Sequence, residues 1–393
     1  MIGQKGLPAT YGGVEHHVEQ VGRLLAARPD IEVTVYCRRP YCSDVGPEYL
    51  GMRLVCTPAL ASKHLEAISH SVTSTVHALM SGADVVHYHA LGPGLVAPLV
   101  RYLSRAKVVL TVHGLDQQRA KWKAPASHVL ELAYRMSGHV PDAVVTVSRA
   151  LTQHYEERFG CGPVYVPNGV PQPSPSAISE RLRSEHGLEP GRYVLCVGRV
   201  VPEKRADLLI RAAHSLPTDV KVVIVGGSSF SEDYVAEVAA LAGNNPRIVL
   251  SGFLYQDELA GVYANAAVFV QPSDLEGLPL TLLEATSYGI PVLASDIAPH
   301  REILAACRCR AHRMFPQGDV VALAAQLVLM FHDREALREE ASREGSSLVA
   351  PYDWTAAADA LVEVYRTVTG TLPPATSARH THSRIALPTL PLG

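Results

Sequence analysis

Short runs of β-branched and aliphatic residues alternate along the chain with longer stretches in which apolar residues recur at helical spacing. In the first part of the chain these runs fall at residues 31–37, 52–57, 84–87, 107–113 and 143–148, each separated by a segment that can hold a crossover helix. Strands that are apolar almost throughout, rather than at alternate positions, belong to a parallel sheet covered on both faces. A shorter run at 164–166 leads into V-P-N-G-V-P-Q-P-S-P-S, whose prolines continue neither helix nor strand, so 167–176 is predicted to be an interdomain linker. The pattern restarts at 193–198, 220–226, 247–251, 267–271 and 291–295. The prediction is an α/β chain of two doubly wound, Rossmann-like domains, 1–170 and 171–350, facing a cleft at the carboxyl ends of their strands, where such sheets bind ligands. Only Met1 and Ile2 precede Gly3, where a strand of about five residues normally opens such a sheet, so either the first strand is stunted or the start lies upstream. Beyond Thr369 periodicity is lost and Thr, Pro, Ser and His accumulate, which predicts a disordered tail over 370–393.

Composition narrows the function classes. A chain of 393 residues, 47% hydrophobic and 19% charged, has room for more than one core, and no apolar run approaches the ~20 residues of a membrane helix. No basic, apolar signal follows Met1, so a cytoplasmic location is expected. Residues 1–170 carry 16 Lys/Arg against 13 Asp/Glu, and residues 171–393 carry 19 against 25. This asymmetry is too weak for a nucleic-acid partner, yet it allows the first half to meet an anionic membrane surface peripherally. The odd count of seven cysteines and the lack of C-x-x-C read as reduced thiols, not as a disulfide framework or zinc site.

Three segments carry candidate chemistry. In E-G-L-P-L-T-L-L-E, residues 276–284, Pro279 suits a first helical turn, which leaves the amides of Leu280 and Thr281 beside Gly277 free to meet a phosphate. Glu276 and Glu284 would lie about 12 Å apart if both were helical, too far for the ~5 Å carboxylate pair of a double-displacement glycosidase, so each is expected to hold a different hydroxyl group. A helix-capping Glu276 and a solvated Glu284 are the alternative. In V-G-R-V-V-P-E-K, Arg199 and Lys204 follow a strand end, where two cations suit a diphosphate; as surface residues they would do nothing. The loop G-Q-K-G-L-P-A-T-Y-G-G-V-E places Gly12 and Gly13 before a helix, either as a plain turn or as backbone that approaches a ligand. It is not G-x-G-x-x-G, which argues against a dinucleotide site. His113 closes an apolar strand and would reach the cleft; His87, His89, His16 and His17 are weaker candidates. No D-x-D occurs, and no residue spacing asks for a metal.

Taken in order, G-G-V-E, H-G after the fourth run, V-P-N-G-V, G-R-x4-K and E-G-L-P-L-T-L-L-E resemble glycosyltransferase family 4 over about residues 1–370. The opening M-I-G-Q-K-G-L-P-A-T-Y-G-G-V-E and the stretch H-G-L-D-Q-Q-R-A-K-W are further similar to a bacterial subgroup that includes rhamnosyltransferases of surface polysaccharide assembly. The resemblance implies a GT-B fold and a retaining, metal-independent transfer from a nucleotide-diphosphate sugar to a saccharide or lipid-linked saccharide, with no cofactor beyond that donor. It implies that Arg199 and Lys204 clamp the diphosphate, Glu284 holds the ribose and Glu276 a sugar hydroxyl. It also places the backbone of Gly277, Leu278, Pro279 and Leu280 against phosphate and sugar, Gly12 and Gly13 against the diphosphate, and His113 beside the sugar. Residues 351–369, with Trp354, resemble the family's helix that crosses back to the first domain. A sugar-nucleotide epimerase on the same scaffold and a non-catalytic nucleotide-sugar-binding subunit are the competing readings.

Overall fold

The computed structural model describes residues 1–9, 12–41, 46–60, 66–118, 126–228 and 231–371. The first sheet is built from β1 (Thr34–Arg38), β2 (Glu48–Tyr49), β3 (Met52–Thr57), β4 (Val85–His89), β5 (Lys107–Val112), β6 (Ala143–Thr146) and β7 (Val164–Tyr165). Its strands run in the orders β1-β3-β2 and β4-β5-β6-β7, parallel except for the β2–β3 pair. Met1 and Ile2 join the two parts: the Tyr36 amide donates to the Met1 carbonyl at 3.0 Å, and Ile2 exchanges bonds of 2.9 and 2.8 Å with His87 and His89. Two residues thus stand where such a sheet has its opening strand.

The second sheet contains β8 (Tyr193–Val197), β9 (Lys221–Val225), β10 (Ile248–Gly252), β11 (Val268–Gln271), β12 (Val292–Ser295) and β13 (His312–Phe315), all parallel, in the order β10-β9-β8-β11-β12-β13. The order reverses between β8 and β11, which opens a crevice at their carboxyl ends. β13 departs from the five strands expected: its His-Arg-Met-Phe sequence is only partly buried at the sheet edge and lacks the apolar run that marks a covered strand. β8, covered on both faces, is buried at every residue.

Between β7 and helix Glu180–His186 the chain forms no helix or strand, in the place of the predicted linker. Helix Trp354–Thr369 lies against helix Gly13–Ala26 of the first domain. Asp353 caps it by accepting from the Ala356 amide at 2.8 Å, and Gly370 ends it in the left-handed conformation. Trp354 and Leu361 share a cluster with Val21, Val109 and Val145, so this helix is part of the first domain's core. The predicted tail, apart from Gly370 and Thr371, lies outside the described residues, as do Arg119, Lys121 and Lys123 among the basic residues of the first half. Cys56 is disulfide-bonded, which corrects the expectation of reduced thiols throughout; Cys37, Cys161, Cys196, Cys307 and Cys309 are free.

Candidate active site

A cleft of about 2060 Å³ lies between the two domains, lined by Gly12, Gly13, His113, Arg199, Lys204, Glu284 and the segment 276–280; of the weaker candidates His16 lines it, whereas His17, His87 and His89 do not. On the carboxyl-terminal side, β8 delivers Gly198 and Arg199, and the turn Pro202–Lys204 delivers Lys204. Lys204 forms an ion pair with Glu276, whose carboxylate also accepts from the Gln271 side chain at 2.7 Å; Gln271 in turn accepts from the Thr281 hydroxyl at 2.9 Å. This chain of contacts ties the loop after β8 to the first turn of helix Leu280–Ser287. The helix makes its first bonds from Leu282 and Leu283 to the Pro279 carbonyl, so the Leu280 and Thr281 amides precede the helical ladder. Pro279 is the cap residue rather than the first helical one.

The two glutamates occupy different electrostatic settings. Burial pushes Glu276 up, but the Lys204 cation and hydrogen bonds outweigh it and hold the carboxyl below its ordinary value. Glu284 has no such cation: burial raises it to about 7, against one bond from the Tyr263 hydroxyl at 2.8 Å. Glu276 is therefore a fixed anion, whereas Glu284 titrates near neutrality. His300, buried and brought to about 4 mainly by desolvation, bonds through Nδ1 to the Ser295 carbonyl at 2.7 Å and stands near Glu276 as a neutral ring. The neighbouring cation Arg205 is committed to Asp207 and Asp274 at 3.1 and 2.9 Å.

The amino-terminal wall comes within contact distance of this machinery. A side chain at Gly277 would collide with the His113 carbonyl, and one at Gly13 would stand 3.6 Å from Leu280. At both glycines the walls approach each other closely. Gly12 precedes helix Gly13–Ala26, whose Glu15 accepts from the Lys5 amide at 3.0 Å. Behind His113 the strand ends gather imidazoles: His89 Nδ1 lies 3.3 Å from His113 Nε2, and His17 Nδ1 lies 2.7 Å from Asn168 Oδ1. His87 lies below, bonded to Tyr365 of the crossing helix and to Thr111, each at 2.7 Å. Burial drives His17 down to about 4 and His87 and His89 well below the ordinary range, so these three rings are neutral. Lys5 is lowered by burial, with Arg38 and Arg199 adding to the effect and Glu15 and Glu66 opposing it.

Sequence reasoning missed Lys5, Asn168, Tyr263, Gln271 and His300, and ranked His17, His87 and His89 as weak. Their signal was positional: Gln271 ends an apolar run, and Asn168 sits inside V-P-N-G-V. Nothing local marks Tyr263 or His300, which are buried behind the cleft and meet Glu284 and Glu276 only in the folded chain.

A cleft between two Rossmann-like domains, with cations and a helix start on one wall and glycine-rich backbone on the other, defines the GT-B class of nucleotide-sugar glycosyltransferases. Residues 11–172 match Glycosyltransferase Family 4 and residues 178–347 match Glycosyl transferases group 1. The GDP-mannose-dependent alpha-(1-6)-phosphatidylinositol monomannoside mannosyltransferase of Mycolicibacterium smegmatis is 30% identical over 310 residues, 73% of this chain and 78% of that protein. The alpha-maltose-1-phosphate synthase of the same organism is 25% identical over 391 residues, covering 92% of this chain and 97% of its own. Among solved structures, sucrose-phosphate synthase of Thermosynechococcus elongatus superposes with a TM-score of 0.78 at 21% identity, over 93% of this chain and 97% of that one. Anabaena HepE in complex with UDP and glucose superposes at 0.75 and 17% identity, over 91% and 96%. The chain belongs to glycosyltransferase family 4, and it is a nucleotide-sugar glycosyltransferase of glycan biosynthesis.

Proposed function

We propose that the protein transfers a hexosyl or rhamnosyl group, with retention of configuration and without a diphosphate-bridging metal, from a nucleotide-diphosphate sugar to a saccharide or lipid-linked saccharide of a bacterial surface polysaccharide. The observation that carries this reading is the Lys204–Glu276–Gln271–Thr281 chain at the start of helix Leu280–Ser287. Arg199 and Lys204 take up the charge that grows on the β-phosphate as the sugar leaves, in place of a divalent cation. Glu276 meets a sugar hydroxyl as a permanent anion. Glu284, at the far end of the segment and bonded to Tyr263, receives the ribose. With the leaving phosphate held on the face it vacates, its own oxygen accepts the acceptor's proton, and the new bond forms on that face.

The relatives support the donor and acceptor classes, since the mycobacterial enzymes at 30% and 28% identity are named for GDP-mannose and a phosphatidylinositol acceptor. A lipid-bearing acceptor also agrees with an exposed apolar row on the first domain. Val72, Val76 and Met80 recur every fourth residue on helix Glu66–Met80, and Leu99, Tyr102 and Leu103 stand exposed on the adjoining helix Ala97–Leu103, with Met80 at 83% and Tyr102 at 75%. Arg101 and Arg105 flank them, an arrangement suited to peripheral contact with an anionic lipid surface. No helix among the described residues is long and apolar enough to cross a membrane.

A thermal-shift panel of nucleoside diphosphates and their sugars, followed by assay for nucleotide release with and without acceptor, tests the reading. One donor should stabilise the protein by about 2.7 kcal/mol at 100 times its Kd. Interconversion of sugar nucleotides without transfer would point to an epimerase, and binding with no turnover at all to a non-catalytic subunit. Met80→Asp with Tyr102→Asp should abolish binding to anionic vesicles while leaving donor hydrolysis intact; unchanged vesicle binding would remove the membrane part of the proposal.

A further inference from the structure

Cys307, Cys309 and His312 form a second constellation, far from the cleft chemistry. They lie between helix Ala298–Leu304 and β13, at the amino end of that strand, whereas the cleft is at the carboxyl ends. The two sulfurs stand 2.7 Å apart, and the Cys309 amide donates to the Cys307 sulfur at 3.3 Å. The donor atoms of all three residues lie within 4.8 Å of one another. Both His312 ring nitrogens are shielded from solvent and have no hydrogen-bond partner, which is costly for an imidazole unless something else occupies a ring nitrogen. Glu344, from helix Arg334–Val349, brings a carboxylate oxygen 3.5 Å from the Cys307 sulfur, where the Arg308 amide holds it at 3.4 Å.

We propose that Cys307, Cys309 and His312, completed by Glu344, bind a thiophilic divalent cation of the zinc class. Two sulfurs, one imidazole nitrogen and one carboxylate oxygen make the four mixed donors that a tetrahedral zinc takes, and neither Mg²⁺ nor Ca²⁺ would choose the sulfurs. With Zn–S bonds of about 2.3 Å, tetrahedral coordination holds the sulfurs roughly 3.8 Å apart, so binding asks them to separate by about 1 Å. On binding, each thiol releases its proton to solvent and forms a sulfur–metal bond; no electron is transferred. A disulfide between the same two sulfurs would leave the His312 nitrogens unpartnered and give Glu344 no role. The ion would tie three elements together: the end of the helix that carries His300, the edge strand β13, and helix Arg334–Val349. Its role is structural, separate from the diphosphate clamp.

The test uses the full chain, purified under reducing conditions, given Zn²⁺, freed of excess metal and analysed for zinc by elemental mass spectrometry. One zinc per chain is expected, lost in Cys309→Ser. Co²⁺ in its place should show thiolate-to-cobalt charge-transfer absorption, and His312→Ala should keep that absorption while weakening Co²⁺ binding at least tenfold. Because Cys309→Ser is open to misfolding, maleimide labelling of the wild type gives an independent reading: Zn²⁺ should protect Cys307 and Cys309 and leave Cys161 unchanged, as mapped by peptide mass spectrometry. Zinc retained in full by Cys309→Ser would place the ion elsewhere, for instance at His17, His89 and His113, and overturn the proposal. So would a cobalt spectrum without thiolate absorption, or recovery of reduced protein that binds no zinc and oxidises to a Cys307–Cys309 disulfide.

Discussion

On the carboxyl-terminal wall of the cleft, Lys204, Glu276, Gln271 and Thr281 form a network of paired charge and hydrogen bonds, whereas the facing wall stacks His17, His87 and His89 as neutral rings behind His113. Both walls are desolvated, and the difference lies in what accompanies the burial. A cation beside Glu276 keeps it ionised; on the facing wall burial is the main cause that keeps the histidines neutral, and neighbouring imidazoles add to it. The first wall is therefore prepared to meet an anionic ligand before it arrives. The second offers close backbone and uncharged rings, which suits sugar and acceptor hydroxyls.

The largest effect should come from removing the cations. Arg199→Ala and Lys204→Ala are each expected to lower turnover by about 10²–10³, equivalent to ~2.7–4 kcal/mol at the transition state, with a smaller loss of donor affinity. Lys204→Ala also leaves Glu276 as a buried anion without its partner, so the double variant Lys204→Ala/Glu276→Gln should recover folding stability but not turnover. If donor affinity falls while turnover stays near normal, the clamp binds the ground state only and the contrast between the walls loses its catalytic meaning.

A smaller separation is expected within the carboxyl-terminal wall. Glu284→Ala should weaken free nucleoside diphosphate binding by about 10–100-fold, as for loss of hydrogen bonds to a charged group. Glu276→Gln should leave that affinity within about threefold while reducing transfer. Calorimetric titration of both variants decides the matter, and equal losses would show that the two carboxylates do not divide the donor between them.

The walls should also part in their response to pH. A histidine that is neutral when folded binds its proton in the unfolded chain first, so the stability it supports is full above about pH 6.5 and is lost as pH falls toward its folded value, about 4 for His17. Denaturant unfolding at pH 7.5, 6 and 5 should show this decline, and His17→Gln should flatten it. Glu284 works in the opposite sense. Its raised folded value of about 7 means that the folded state holds an extra proton between its unfolded value and 7, so its contribution to stability falls as pH rises through that window. Donor binding through the carboxylate rises over the same range: a nucleotide-sugar, which does not itself titrate there, should bind about tenfold tighter at pH 8 than at pH 6. Glu284→Gln should abolish this dependence; a slope that persists in the variant would assign it to another group.

The same contrast explains what could be read from the chain. Residues 276–284 announce themselves because glycine, proline and two glutamates fall together in one segment, and a run such as β8 is legible because it is apolar throughout. The histidine wall comes from three separated elements, and only the parallel register of β4 and β5 places His87, His89 and His113 together. Tyr263 is set against Glu284, 21 residues on, and Gln271 joins Glu276 to Thr281 only once the strand end folds against the next helix. β13 escaped because an edge strand needs no continuous apolar run, and Cys307 and Cys309 read from the sequence as plain reduced thiols because Glu344 joins them and the nearby His312 only in three dimensions.

In the proposed transfer the sugar departs from a diphosphate held by Arg199 and Lys204, and the incoming oxygen arrives on the face that the phosphate vacates. The most direct test is the anomer first formed when the cognate nucleotide-sugar is turned over in buffer freed of Mg²⁺ and Mn²⁺, with acceptor or with water in its place, followed by NMR before mutarotation. Retention of the donor's configuration, at a rate that added Mg²⁺ does not change, is the predicted result. An inverted product, or transfer that begins only when Mg²⁺ or Mn²⁺ is restored, would contradict it.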